Sequence, residues 1–268
     1  SAPRSKAADM IPRSGPQGQP PLDLPPDPRL RRVSARLPFA GPRTIVALML
    51  REMSSTYGRS PGGYLWAVLE PVLGIALLSL VFSLGFRAPR LGTNFAIFYA
   101  TGVLPFQFFS ILSGRMALAI LYSQALLAYP RVTFVDVLTA RFVLNVLTQL
   151  LVATLIFTGI RLAFDTRTTL EMSSIMLSFA MAGVLGAGIG TLNCFLNALF
   201  PLWDRAWSIA TRPWYNPLMH VTGEMRAGFY YGYEAEYVNP AYVFAIGLTC
   251  LLAGLIFLRR YHRDIREL

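Results

Sequence analysis

The sequence predicts an all-α integral membrane protein: a polytopic helical bundle with an amphipathic helix at the membrane surface before it. Three observations carry this. Of 268 residues, 54% are hydrophobic and 14% charged, whereas soluble domains hold roughly 25% charged residues. Apolar runs long enough to cross the hydrocarbon, about 20 residues each, recur along the chain from Leu65 onward. The formal charge of +10 lies mostly outside those runs, which in a membrane protein marks cytoplasmic flanks and argues against nucleic acid as the partner.

The first 38 residues stand apart. Gln17-Gly-Gln-Pro-Pro-Leu-Asp-Leu-Pro-Pro-Asp-Pro28 is too rich in proline for helix or sheet, so 1–38 reads as a disordered N-terminal segment. Residues 39–268 read as one membrane domain. The first apolar run lies too far along the chain for a cleavable signal peptide, and no small-residue cleavage pattern follows it. Cys194 and Cys250 both fall inside apolar runs and read as small core residues.

Between Arg43 and Tyr57, Ile45, Ala47, Leu48, Met49 and Met53 recur at helical spacing around Arg51 and Glu52. This stretch is too short and too charged to cross a membrane. It predicts an interface helix over 43–57, with an ordinary solvated helix as the plainer reading. Ser60-Pro-Gly-Gly63 makes a corner, and Tyr64 and Trp66 follow as interfacial aromatics. Span one covers 65–86, with Glu70 and Pro71 in its first turns. Span two, 95–121, contains Pro105, Gln107 and Arg115; proline is tolerated there when neighbours satisfy the freed carbonyl.

The most polar internal link, Tyr122–Ala140, precedes span three at 138–162. Arg141, Asn145, Thr148 and Gln149 share one face of that span. Such a stripe either lines the bundle interior or an aqueous path, or makes interhelical hydrogen bonds; both readings stand. Span four, 175–200, repeats Ala182, Gly186 and Gly190 at four-residue spacing, the pattern of close helix packing. Gly186–Gly190 has the wrong spacing for a dinucleotide fingerprint, and no strand precedes it. From Trp214 to Asn239 the chain is aromatic and acidic, which marks an interface. The last span is 241–258, and the tail from Arg259 to Arg266 is basic.

The evident spans number five. Basic flanks on both sides put both termini in the cytoplasm, which requires an even number of crossings. Six are therefore expected, and the fifth is missing or shortened near 205–214. Either a short irregular segment makes it, or residues are absent from this sequence.

The motifs of soluble catalysis do not occur. There is no phosphate-binding Gly-rich loop, no Cys/His metal spacing and no Gly-x-Ser-x-Gly elbow. No catalytic or metal-ligating residue is expected. His220 reads as a structural hydrogen-bonding residue and His262 as part of the tail. Any uphill work would draw on a partner or an ion gradient, and Glu70 is the one strong carboxylate candidate inside a span.

Four stretches together carry a resemblance. They are Leu50-Arg-Glu-Met with Tyr57-Gly and Gly63-Tyr-Leu-Trp-Ala-Val-Leu-Glu-Pro71; Gly102-Val-Leu-Pro-Phe-Gln-Phe-Phe109; Leu126-Leu-Ala-Tyr-Pro-Arg-Val132 with Asp136 and Ala140-Arg141; and Asn216-Pro-Leu-Met-His-Val221. In order and separation they resemble the permease subunits of type-2 ABC exporters, most nearly the capsular-polysaccharide export permeases. The resemblance implies a homodimer in the bacterial inner membrane, bound to two copies of a separate ATP-binding subunit that holds ATP and Mg. This chain would hold no cofactor itself. It also implies a periplasmic polysaccharide co-polymerase as partner, and a lipid-linked acidic polysaccharide as cargo.

By position, Arg43, Arg51, Tyr57 and Arg59 belong to the interface helix and its exit. The resemblance places Ser123, Gln124, Leu127, Tyr129, Pro130 and Arg131 in the helix that contacts the ATPase. Polarity and aromaticity in or beside the spans nominate Tyr64, Trp66, Glu70, Arg115, Asn145 and Gln149 for the substrate path. The rival readings are a membrane-embedded transferase acting on lipid-linked sugars, with His220 or Glu224 as base, and a permease of the same family for O-antigen or teichoic acid. The family has a fifth span and a re-entrant segment after the position of Arg212-Pro213, where this chain passes almost directly to Tyr215-Asn-Pro.

Overall fold

The computed structural model describes residues 40–57, 63–86, 89, 91–92, 94–123, 133–166, 168–200, 202, 203, 205, 207, 217–233 and 235–261. They form α1 (Ala40–Tyr57), α2 (Gly63–Gly85), α3 (Phe95–Ala117), a single 3-10 turn (Leu121–Ser123), α4 (Phe134–Ala163), α5 (Met172–Leu199), α6 (Leu218–Phe229) and α7 (Pro240–Tyr261). Among the described residues every regular element is helical. Five of the helices, α2, α3, α4, α5 and α7, are long and apolar enough to cross a membrane. The chain is an all-α polytopic membrane protein.

The centre is α5. In its most apolar stretch 61% of residues are buried, against 11% in α2. Glycines on opposite faces explain the difference. A Cβ on Gly186 would meet Leu112 at 3.1 Å, and one on Gly190 would meet the Ser113 carbonyl of α3 at 2.8 Å. On the other face, a Cβ on Gly188 would run into the Gly247 carbonyl of α7, and one on Gly254 would meet the Leu192 amide at 2.8 Å. Small residues thus bring three backbones together, which supplies packing where lipid offers no hydrophobic drive. The expected four-residue repeat covers only the α3 face. Gly188 belongs to a second seam.

Local signals set the helix starts. Asn94 Oδ1 accepts from the Ala96 amide at 2.8 Å and caps α3. Thr133 and Asp136 form a reciprocal capping box: Thr133 Oγ1 accepts from the Asp136 amide at 3.2 Å, and Asp136 Oδ2 accepts from the Thr133 amide at 3.0 Å. This starts α4 at Phe134, a turn before the expected Leu138. At 30 residues α4 is about 45 Å long, longer than roughly 30 Å of hydrocarbon. Span two ends at Ala117, not Leu121, because the chain tightens into the 3-10 turn.

Helix α6 was not foreseen. It runs antiparallel to α5: Ser178 Oγ donates to the Val221 carbonyl at 2.7 Å, and the Glu171 amide donates to the Gly228 carbonyl at 2.9 Å. Twelve residues long, it covers about 18 Å, roughly half a bilayer core. Trp203 Nε1 donates to Asn193 Oδ1 at 3.0 Å, nearer the other end of α5. Leu218, at the start of α6, packs in the cluster with Met181 and Leu185. Among the described residues, the stretch between α5 and α7 holds this half-length helix and no full-length span.

Candidate functional site at the α1 end of the bundle

Three elements meet where α3 ends, α4 begins and α1 lies across them. On α1 the residues turned inward are Thr44, Ile45, Leu48, Met49, Glu52 and Met53, while Arg43, Val46, Ala47, Leu50 and Arg51 are exposed. Ala47, expected on the apolar face, lies outside it. The inward stripe places Glu52 one turn beyond Leu48, which packs against the core.

Glu52 meets Arg141 there. Arg141 Nη2 donates to Glu52 Oε2 at 3.2 Å, and Nη1 donates to the Arg115 carbonyl at the end of α3, at 3.1 Å. The guanidinium also lies 5.6 Å from the centre of the Tyr122 ring, within cation–π range. The side chain of Arg141 is 6% exposed and that of Glu52 23%. One buried cation thus ties the surface helix, the end of α3 and the start of α4 into a single joint.

Ser123 completes the joint. It is buried, ends the 3-10 turn through a bond from its amide to the Ile120 carbonyl at 3.0 Å, and lines a small cleft with Leu48, Arg51, Glu52 and Arg141. The other residues expected to contact the ATPase, Gln124, Leu127, Tyr129, Pro130 and Arg131, lie outside the described residues, as does Arg59. Tyr57 ends α1 and Tyr64 is the second residue of α2; their side chains are not described.

The nominated substrate-path residues divide. Arg115 is exposed beside the joint that its carbonyl helps build. On α4, Asn145 Nδ2 donates to the Arg141 carbonyl at 2.7 Å and Thr148 Oγ1 to the Leu144 carbonyl at 2.9 Å. Two members of the polar stripe therefore bond back to their own helix, and Gln149 is half-buried. Trp66 (62% exposed) and Glu70 sit on the open face of α2.

Sequence reasoning had noted Arg141 and Glu52 without joining them. The signal was present: an arginine in the first turns of a span needs a counter-ion. Glu52 is the only carboxylate between Ala40 and Leu69, and Asp136 is already used in the capping box. His220 is structural: its Nδ1 accepts from the Asn239 amide at 3.1 Å, and its ring packs edge-on to Tyr242.

A membrane bundle with a surface helix locked by a buried ion pair to the link between two spans defines the class: a multi-span membrane protein with a built contact region at one end. No protein-family model matches the chain. It is 28% identical over 238 residues to the polysialic acid transport protein KpsM of Escherichia coli, covering 81% of this chain and 92% of that protein. It is 26% identical over 250 residues to the capsule polysaccharide export inner-membrane protein CtrC of Neisseria meningitidis, and 28% identical over 249 residues to BexB of Haemophilus influenzae, which bears the same description. Each of these two alignments covers 83% of this chain and 92% of the relative. The chain is a homologue of the capsule polysaccharide export inner-membrane proteins.

Proposed function

We propose that this chain is the membrane-spanning subunit of an exporter that moves capsular polysaccharide across the inner membrane. The observation that carries this is the match, over nearly the full length of the relatives, to proteins named for polysialic acid transport and capsule polysaccharide export. Energy comes from ATP and Mg on a separate ATP-binding subunit, present in two copies. The α1 end faces the cytoplasm with both chain termini. Among the described residues Arg43, Arg51, Arg115, Arg141, Arg259 and Arg260 lie at that end, against Arg161 and Arg226 at the other, an excess that supports that orientation. The joint around Arg141 transmits movement of the ATPase to α3 and α4.

A second copy completes the transporter against α2. Leu65, Trp66, Leu73, Leu77 and Leu80 are each more than half exposed along that helix. A periplasmic co-polymerase receives the lipid-linked polymer on the far side. The test is co-purification from native membranes. An ATP-binding subunit should accompany the detergent-solubilised chain, and capsule extract should stimulate ATP hydrolysis by the pair. A chain that purifies without an ATPase, and does not respond to ATP when one is supplied, rules the reading out.

A further inference from the structure

At the end of the bundle opposite α1, Arg226 makes no ion pair with any described residue. Arg226 sits on α6 between α3 and the aromatic segment that follows, half-buried. Its guanidinium lies 4.8 Å from the centre of the Phe98 ring and contacts the backbone side of Gly102, where an added Cβ would stand 3.6 Å from Nη2. Gly102 is seven residues into α3, so the charge lies about 10 Å below the start of that helix. Among the described residues no carboxylate stands within ion-pair distance of it. Its Nε is buried without a hydrogen-bond partner.

The neighbouring Tyr230 repeats the pattern. The residue is 8% exposed, and its hydroxyl too is buried and unpaired. Its ring is fixed from behind. Gly92, at φ 72, passes so close that a Cβ there would meet Tyr230 Cε1 at 2.6 Å, so the approach requires glycine both for space and for backbone angle. Nearby, the Tyr233 and Tyr237 hydroxyls pair at 3.2 Å.

Buried polar groups are normally paired, and an unpaired donor is costly. A charged residue at membrane depth marks a functional site by default. Two unpaired donors from one turn of helix, one cationic, with aromatic rings on the flanks, suit an anion carried on an apolar frame. The aromatic rings suit the flat faces of sugar rings. We propose that Arg226 and Tyr230 form an anion site that holds the carboxylate of an acidic sugar residue as the polymer leaves the bundle. The inference rests on the export reading, which it deepens by naming the charged group that is recognised. Arg226 makes the charged contact, Tyr230 adds a neutral donor, and Phe98 positions the guanidinium.

The experiment uses the full chain with its ATP-binding subunit in phosphatidylcholine nanodiscs and titrates two probes by calorimetry: an oligogalacturonate and a neutral glucose oligomer of equal length. Arg226→Gln should weaken oligogalacturonate binding about tenfold to a hundredfold, the range for a hydrogen bond to a charged group, and leave the neutral oligomer unchanged. Arg226→Lys should recover part of the loss, because charge is kept while the planar fork is not. Tyr230→Phe, which removes one oxygen, should show a smaller loss and guards against a folding defect in Arg226→Gln. Exposed Arg161, at the same end of the bundle, is the control.

Equal affinity in wild type and Arg226→Gln overturns the proposal. So does an equal loss in Arg161→Gln, which would show general attraction. If phosphatidylglycerol in the disc abolishes the difference between wild type and Arg226→Gln, the anion held is a lipid phosphate and the sugar assignment falls. A complex that assembles and hydrolyses ATP but fails these tests loses only this inference; a chain that recruits no ATPase loses the export reading.

Discussion

Replacing Glu52 with Gln should loosen α1 from the bundle, by an amount that follows from the geometry. At 3.2 Å a unit-charge pair gains about 5 kcal/mol in an effective dielectric of ~20. In the native protein most of that gain is offset by taking two ions out of water. The variant keeps the desolvation cost of Arg141, whose side chain is 6% exposed, and loses the charge that compensates it. Breaking one side of a buried pair costs about 3–5 kcal/mol. Two features lower this: Glu52 is 23% exposed, and the amide oxygen of the new side chain still accepts from Nη2. The Arg115 carbonyl also keeps Nη1 occupied. The expected loss is therefore about 2–3 kcal/mol, combining the buried-pair cost with the value of a retained neutral bond.

At about 2–4 °C per kcal/mol for a chain of this size, the melting temperature of the detergent-solubilised protein should fall by roughly 5–10 °C. The paired variant Glu52→Met with Arg141→Met should melt near wild type, since an apolar pair replaces a buried ion pair at little cost. If the joint transmits movement, that double variant should still lose substrate-stimulated ATP hydrolysis. A shift for Glu52→Gln no larger than that for Arg43→Gln, an exposed residue on the same helix, would refute the account of the joint.

Three further outcomes are expected. Gly188→Leu should cost more than about 3 kcal/mol, the upper end of overpacking, because the new side chain meets the Gly247 carbonyl. Gly159→Leu, where an added Cβ meets nothing within 4 Å, should stay within about 0.5 kcal/mol; thermal melts and size-exclusion profiles separate them. Thr133→Ala removes half of the capping box and should cost about 1 kcal/mol, read as roughly fivefold faster amide exchange over 134–137. Burial pushes the hydroxyls of Tyr230 and Tyr237 up to about 12, with the Tyr233 hydroxyl adding to the rise at Tyr237 and Arg226 acting against both. Because folding raises these values above the ordinary 10, their contribution is complete below about pH 10 and is lost as pH climbs through about 12. Tyrosinate absorbance should show a late-titrating fraction that shrinks in Tyr230→Phe and moves higher in Arg226→Gln.

Where the physics is local and repetitive, the sequence was legible. Long apolar runs are hydrocarbon-crossing helices because nothing else satisfies the backbone in lipid, and the runs that became α2, α3, α4, α5 and α7 stood out for that reason. Boundaries were less legible because caps lie outside the runs. Thr133 and Asp136 set the start of α4 from a stretch that hydropathy reads as link. The joint at Arg141 depends on a contact 89 positions apart in the chain. Spacing does not display that contact, and it emerges only by asking which carboxylate is left to neutralise a buried arginine.

Helix α6 shows why a short, partly enclosed helix escapes hydropathy. A helix must be apolar on the face it turns to lipid, whereas α6 packs against α3, α5 and the segment before α7. Its neighbours, not lipid, decide its composition. It therefore carries Gly223, Glu224 and Arg226 within eight residues of Leu218. Gly223 lets Tyr237 and Val238 approach, and Gly228 lets α6 press on Ile175 and the Glu171 carbonyl. At the start of that helix, Leu218 and Val221 are buried with Met181, Ala182 and Leu185. That enclosure permits a charged residue at this depth. Arg226 lies over the Phe98 ring, and no described carboxylate neutralises it.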